Sequence, residues 1–127
     1  MDVLPVIIAA FANLIIGWIW FGPAFGEPWM KILKLKKKDT KPNPWVMFFG
    51  LLFGLLMFTI LSYFIDIFAL SSIGQAIALG VLIWLGFMVP KDISPVLWEQ
   101  KPFRLFLIYS GYSLISTLVG AIILVLW

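Results

Sequence analysis

Charged residues divide the chain into four long neutral runs, which cover residues 3–26, 42–65, 67–90 and 105–127. A bilayer core about 30 Å thick is crossed by about 20 helical residues, so each run is long enough for one transmembrane helix. Apolar and polar positions do not alternate strictly with period two, so the pattern favours helices over a membrane barrel. It predicts helices over about residues 3–21, 44–68, 73–89 and 103–127.

The composition indicates that lipid surrounds these helices. Hydrophobic residues make up 63% of the 127-residue chain and charged residues only 12%, about half the usual charged fraction of soluble domains. A soluble fold of this size cannot bury so much apolar surface. We therefore predict an all-α membrane protein, a single domain over residues 1–127 whose four transmembrane helices form an antiparallel bundle.

The positive charges predict the orientation of this bundle. All nine lie between the first and second predicted helices, or between the third helix and the first turn of the fourth, at Lys31, Lys34, Lys36, Lys37, Lys38, Lys41, Lys91, Lys101 and Arg104. Loops rich in lysine and arginine stay in the cytoplasm, so both termini are expected outside. We expect a multi-pass protein of the plasma membrane whose basic loop, residues 31–41, meets anionic lipid headgroups. The cations border apolar spans, which argues against nucleic acid as a partner.

Placing polar side chains within a transmembrane helix costs free energy, so each such residue in the predicted helices is expected to have a structural or functional role. They could form a polar track through the bundle, with these candidate residues: Asn13, Thr59, Ser62, Asp66, Tyr109, Tyr112 and Ser116. The alternative, which we favour, is that they hydrogen-bond helices to one another. Asn13 lies halfway along the first helix and needs a polar group of a neighbour or a water. Asp66 either binds a cation or a proton, or is a solvated carboxylate beside the outer turn.

Small residues are predicted to allow close helix packing, within the chain or against a second copy. These positions are Gly17, Gly50, Gly54, Ala76, Gly80 and Gly120, with Ser116 four residues before the last. Near the inner boundary, Glu27 is placed to pair with Arg104 or Lys101, either as a contact closing the first helix onto the fourth or as a screened surface pair.

The residue inventory offers little chemistry. The chain contains no Cys and no His, which removes thiolate ligands, disulfides and the commonest metal ligand. No nucleophile–base pair and no phosphate-binding glycine loop appears at a useful spacing. We therefore expect no catalytic residue, no metal site and no cofactor.

Three segments together resemble a known family. Asn13-Leu-Ile-Ile-Gly17-Trp-Ile-Trp20-Phe-Gly22-Pro23-Ala-Phe25-Gly26-Glu-Pro-Trp29-Met-Lys31 is followed by Trp84-Leu-Gly86-Phe87 and by the run from Arg104 through Gly111-Tyr112. This is similar to an uncharacterised family of small prokaryotic four-span membrane proteins, the domain-of-unknown-function family seventeen-sixty-one. The resemblance implies the same number of spans and no established activity. It also implies one shared arrangement of Asn13, Gly17, Trp20, Gly22, Trp29, Gly86, Phe87 and Tyr112.

Two functions remain open at this point. The first is a non-enzymatic interaction bundle, either a homo-oligomer or an accessory subunit of a larger membrane complex. It is favoured because short loops leave almost no soluble surface for chemistry. The second is a small transporter or channel for an ion or small solute that uses the polar track.

The predicted orientation is testable with single thiols, because the chain has no native cysteine. Cysteines are introduced one at a time at Asp2, Lys34, Ser72 and Trp98, and intact cells are treated with an impermeant thiol reagent. Positions 2 and 72 should react and positions 34 and 98 should be protected, since lysine-rich loops remain inside. The reverse labelling pattern would contradict the orientation.

Overall fold

A computed structural model describes residues 2–41 and 43–127, and within these ranges the chain is helical without strands. The α-helices are α1 (Val3–Ile19), α2 (Gly26–Leu33), α3 (Pro44–Ile67), α4 (Ile73–Ile83), α5 (Val89–Asp92), α6 (Ser94–Trp98) and α7 (Phe103–Leu126). In this described part, four helical stretches are long and apolar enough to cross a membrane: Val3–Ala24, Pro44–Ile67, Ile73–Trp98 and Phe103–Leu126. The prediction of an all-helical chain with four such stretches is confirmed.

Side-chain caps explain where α3 and α4 begin. Asn43 accepts a hydrogen bond from the Trp45 amide at 2.9 Å, and Pro44 occupies the first helical turn, where its missing N–H is harmless. Ser72 and Gln75 form a reciprocal capping box at the start of α4. Both helices start at the residues that the sequence pattern predicts.

The first and third spans differ from prediction because each contains a π-helical segment. α1 continues into a first π segment, Trp20–Ala24, and α4 into a second π segment, Trp84–Met88, before α5. The residue after each π segment donates its backbone amide to the carbonyl of the segment's first tryptophan: Phe25 bonds to Trp20 and Val89 to Trp84. Pro23 and Pro90 lack the N–H that a regular helix needs, which accounts for the altered register nearby.

The connection between α2 and α3 is compact rather than extended. Lys34 ends α2 in the left-handed region at φ 57°, and a 3₁₀ turn follows at Lys37–Thr40. The Asp39 carboxylate accepts the Lys36 amide at 2.9 Å and so closes this turn. The lysine side chains of the turn, Lys37 and Lys38, are exposed.

The helices pack around α7. α1 contacts both α3 and α7, α3 also touches α7, and α4 packs mainly against α7. Although α3 and α4 are joined by a short turn, their main contacts are with α1 and α7 rather than with each other. The last helix in the sequence therefore holds the bundle together.

Small residues lie at the closest helix contacts. Phe58 is fully buried and its ring fills the space beside Gly120. A Cβ built on Gly54 would lie 3.6 Å from Ala10, and one on Gly80 would lie 2.9 Å from a methyl of Leu118. A Cβ built on Gly50 would lie 3.4 Å from a methyl of Leu14, and Ala76 is fully buried. These small residues thus serve contacts within one chain.

We expect Gly120→Ala to lower the free energy of unfolding by about 1–3 kcal/mol, because the new methyl group collides with the Phe58 ring. Gly22→Ala is the matched control, since a Cβ there has no atom within 4 Å. Tryptophan fluorescence during thermal unfolding in mild detergent measures both. Equal melting temperatures for the two variants would contradict this packing.

Candidate functional site

The carboxamide of Asn13 is the centre of a polar cluster between α1 and α7. Its Oδ1 accepts a hydrogen bond from the Tyr112 hydroxyl at 2.8 Å, and the Ser116 hydroxyl donates to the same oxygen. Both donors lie on one face of α7, four residues apart. The sequence predicts a neighbour's polar group or a water as the partner of Asn13, and the structure supplies two hydroxyls.

The sequence around Asn13 makes room for the Tyr112 ring. Asn13, Gly17 and Phe21 are spaced by four residues, so they lie on one face of the first span. A Cβ built on Gly17 would lie 3.4 Å from the Tyr112 hydroxyl, and the Phe21 ring meets the Tyr112 ring edge-on at 5.3 Å. The small residue thus allows the tyrosine to reach the carboxamide.

Two tryptophans attach the neighbouring spans to the backbone of α7. The indole Nε1 of Trp20 donates to the carbonyl of Ile108, and that of Trp84 donates to the carbonyl of Ser110, both at 2.8 Å. Each tryptophan is the first residue of a π segment. A Cβ at Gly111 would lie 2.8 Å from the Trp20 ring, so this glycine admits the indole.

Sequence reasoning missed these two anchors. The sequence gives Trp20 and Trp84 no role beyond the family resemblance. The available signal was the repeated Trp-x-Gly at residues 20–22 and 84–86, each near a proline.

Asp92 is a further residue that the sequence interpretation did not single out. The predicted third helix ends near residue 89, whereas the structure extends the helical span through α5 to Asp92. The Ser113 hydroxyl donates to its carboxylate at 3.1 Å and lies 3.0 Å from the Tyr109 carbonyl. One turn further along α7, the Thr117 hydroxyl contacts the sulfur of Met88 at 3.3 Å.

The residues of the predicted polar track fall into separate places. Asn13, Tyr112 and Ser116 are joined, and the Tyr109 ring lies 6.1 Å from that of Phe21. Ser62 is buried and Thr59 half-buried on α3, and Asp66 is exposed at the end of that helix. The hydrogen bonds of the Asn13 cluster connect α1 with α7 and, in the described residues, do not continue to these three side chains.

The predicted pair of Glu27 and Arg104 is not formed in the structure. Both side chains are exposed, and among residues 2–41 and 43–127 no ion pair joins them. Arg104 lies in the first turn of α7, and Glu27 in the first turn of α2.

The described part of the chain brings no three His, Cys, Asp or Glu side chains close enough together to hold a metal ion.

Apolar helices of spanning length, joined by hydrogen bonds between them, define a small helical membrane protein. Within this class, the chain belongs to the family described as Protein of unknown function (DUF1761), which it matches over residues 4–125. This family is the one suggested by the sequence resemblance. No curated protein and no solved structure matches the chain.

A double-mutant cycle tests the Asn13 cluster. Asn13→Leu and Tyr112→Phe should each destabilise the bundle, and their effects should couple by about 0.6–1.7 kcal/mol, the range for hydrogen bonds between membrane helices. The measurement is reversible unfolding in mixed micelles.

The matched control for this cycle is Tyr63→Phe, since Tyr63 is an exposed tyrosine on α3. Its effect should add to that of Asn13→Leu without coupling. Additivity of Asn13→Leu with Tyr112→Phe would show that the hydrogen bond does not stabilise the bundle.

Proposed function

We propose that this protein is a non-enzymatic bundle of the plasma membrane that acts through association, as a homo-oligomer. The observation that carries the proposal is how the intramembrane polar groups are used. The Asn13 carboxamide, the Tyr112 and Ser116 hydroxyls and the Trp20 and Trp84 indoles all bond between helices of the same chain. Such bonds stabilise a rigid scaffold.

The same observation gives a transport function less support. A path for an ion or solute needs polar groups that follow one another across the membrane. Here no hydrogen bond among the described residues joins Thr59 or Ser62 of α3 to the cluster between α1 and α7. The cluster is a single hydrogen-bonded group and does not form a continuous series of polar side chains across the membrane.

The outer face of α4 is the surface that we assign to association. Only 11% of the most apolar window of the third span is buried within the chain, against 39% for the window in α7. Gly74 and Ala78, four residues apart on α4, remain exposed. Small residues at this spacing let another helix approach closely in a membrane. The small residues of α3 and α7, in contrast, are covered by neighbours within the chain.

The proposed orientation places both termini outside and the lysine-rich segment in the cytoplasm. Trp20, at the end of the first span, bonds to Ile108 near the start of α7. This contact supports placing the two cation-bearing connections at the same end of the bundle. All nine positive charges are then on one side, as expected for cytoplasmic loops.

The association is tested by substituting a large side chain on the proposed interface. Wild-type protein extracted in mild detergent should give an oligomeric mass in native mass spectrometry, and Ala78→Trp should give a monomer, because the indole prevents close approach. Leu56→Trp is the control, since Leu56 is exposed on α3, outside the proposed interface, and this variant should remain oligomeric.

Two results would contradict self-association. One is a wild-type protein that is monomeric both in detergent and after cross-linking in native membranes. The other is an Ala78→Trp variant that assembles like wild type. Recovery of a defined complex with a different subunit, and with one copy of this chain, would replace the homo-oligomer by an accessory subunit.

A further inference from the structure

An open cavity of about 870 Å³ lies where α1, α2 and the start of α3 meet. Its volume falls within the range of about 300–1,000 Å³ that is usual for small-molecule sites. The proposed association uses the far face of α4, so the cavity has a different location and any role it has is independent of that proposal.

The two sides of the cavity differ in chemistry. α1, the first π segment and α3 contribute apolar side chains, among them Trp18, Phe21 and Met47 respectively. The 3₁₀ turn and the residue after it contribute Lys38 and Lys41. One side therefore suits hydrocarbon and the other suits a negatively charged group.

The charged side of the cavity is positive overall. Lys38 and Lys41 are exposed, and Asp39 is the acidic residue of the lining. The Asp39 carboxylate accepts the backbone amide of Lys36, so it is bound to the turn itself. Lysine ammonium groups in such a position attract phosphate as point charges.

Trp29 adds a hydrogen-bond donor without a partner. It lines the cavity, and its ring packs on Phe21 at 4.9 Å. Its indole Nε1 is buried and, in the part of the chain that the structure describes, has no hydrogen-bond acceptor. Buried tryptophan N–H groups usually have one, so an acceptor oxygen from a ligand would complete this site.

A ligand that fits must combine acceptor oxygens, negative charge and an apolar part. Free phosphate meets the first two requirements and leaves the apolar side unfilled. A phospholipid with net negative charge meets all three and is supplied by the surrounding bilayer. Basic residues at the membrane surface attract such lipids.

We propose that this cavity binds the headgroup of one anionic phospholipid. Its phosphate lies near Lys38 and Lys41, an acceptor oxygen receives the Trp29 indole N–H, and the acyl chains leave along Trp18 and Met47. The site is specific, in contrast to the general attraction of a lysine-rich loop for an anionic membrane surface.

The test is lipid titration of the full chain, delipidated in mild detergent and followed by native mass spectrometry. Phosphatidylglycerol should bind with one high-affinity equivalent per chain, and phosphatidylcholine should not. The double variant Lys38→Gln/Lys41→Gln should lose about tenfold or more in affinity, since each lysine near the headgroup contributes. Trp29→Phe, which keeps an aromatic ring and removes the donor, should also bind more weakly.

The matched control is Lys36→Gln/Lys37→Gln, which removes the same charge from the same segment at positions that do not line the cavity. It should stay within about twofold of wild type if the site, rather than loop charge, determines binding. Unchanged near-ultraviolet circular dichroism in all variants shows that the bundle is intact.

Three results would overturn the proposal. Equal losses in the two lysine double variants would indicate only general attraction by charge. Competition by glycerol 3-phosphate at the same concentration as the lipid would indicate a site for soluble phosphate. Unchanged affinity in Trp29→Phe would show that the lipid binds outside this cavity.

Discussion

A carboxamide in the middle of a transmembrane helix has neither water nor its own backbone to satisfy it, so it must find polar partners on a neighbouring helix. Asn13 finds them in Tyr112 and Ser116, which both donate to its Oδ1. In a bilayer, apolar packing by itself does little to select one helix pair over another, because lipid tails offer similar contacts. The bond from Asn13 is directional and therefore specifies which face of α1 meets which face of α7. The remaining helices are arranged around this pair.

The two indole contacts extend the same principle. Trp20 and Trp84 bring the first and third spans to α7 at the carbonyls of Ile108 and Ser110, which are only two residues apart. Each indole is placed by a π segment rather than by a regular helix. π-helical segments within α-helices are frequent at functional sites. Gly111 and Gly17 admit the large rings, so the aromatic and small residues of the chain are parts of one arrangement. α7 consequently serves as the shared support of the bundle.

Much of the architecture follows from the sequence pattern, because lipid imposes simple requirements on length and polarity. The number of spans and the starts of α3 and α4 are set by uninterrupted apolar runs and by capping at Asn43 and Ser72. The π segments could not be predicted, since a single proline is compatible with a break, a kink or a change of register. The roles of Trp84 and Asp92 depend on which helices become neighbours, and this is a tertiary property. For the same reason the seven polar residues considered as one track include only three that meet.

The most direct test of this account is solid-state nuclear magnetic resonance of the protein in lipid bilayers, with selectively labelled asparagine and tyrosine. The distance of 2.8 Å between Asn13 Oδ1 and the Tyr112 hydroxyl predicts a cross-peak between the Asn13 side-chain carbonyl carbon and the Tyr112 ring carbon that bears the hydroxyl. The contact between Ser113 and the Tyr109 carbonyl within α7 provides an internal reference in a second, serine-labelled sample. The account predicts both cross-peaks. Absence of the Asn13–Tyr112 cross-peak, with the Ser113–Tyr109 reference present, would contradict it.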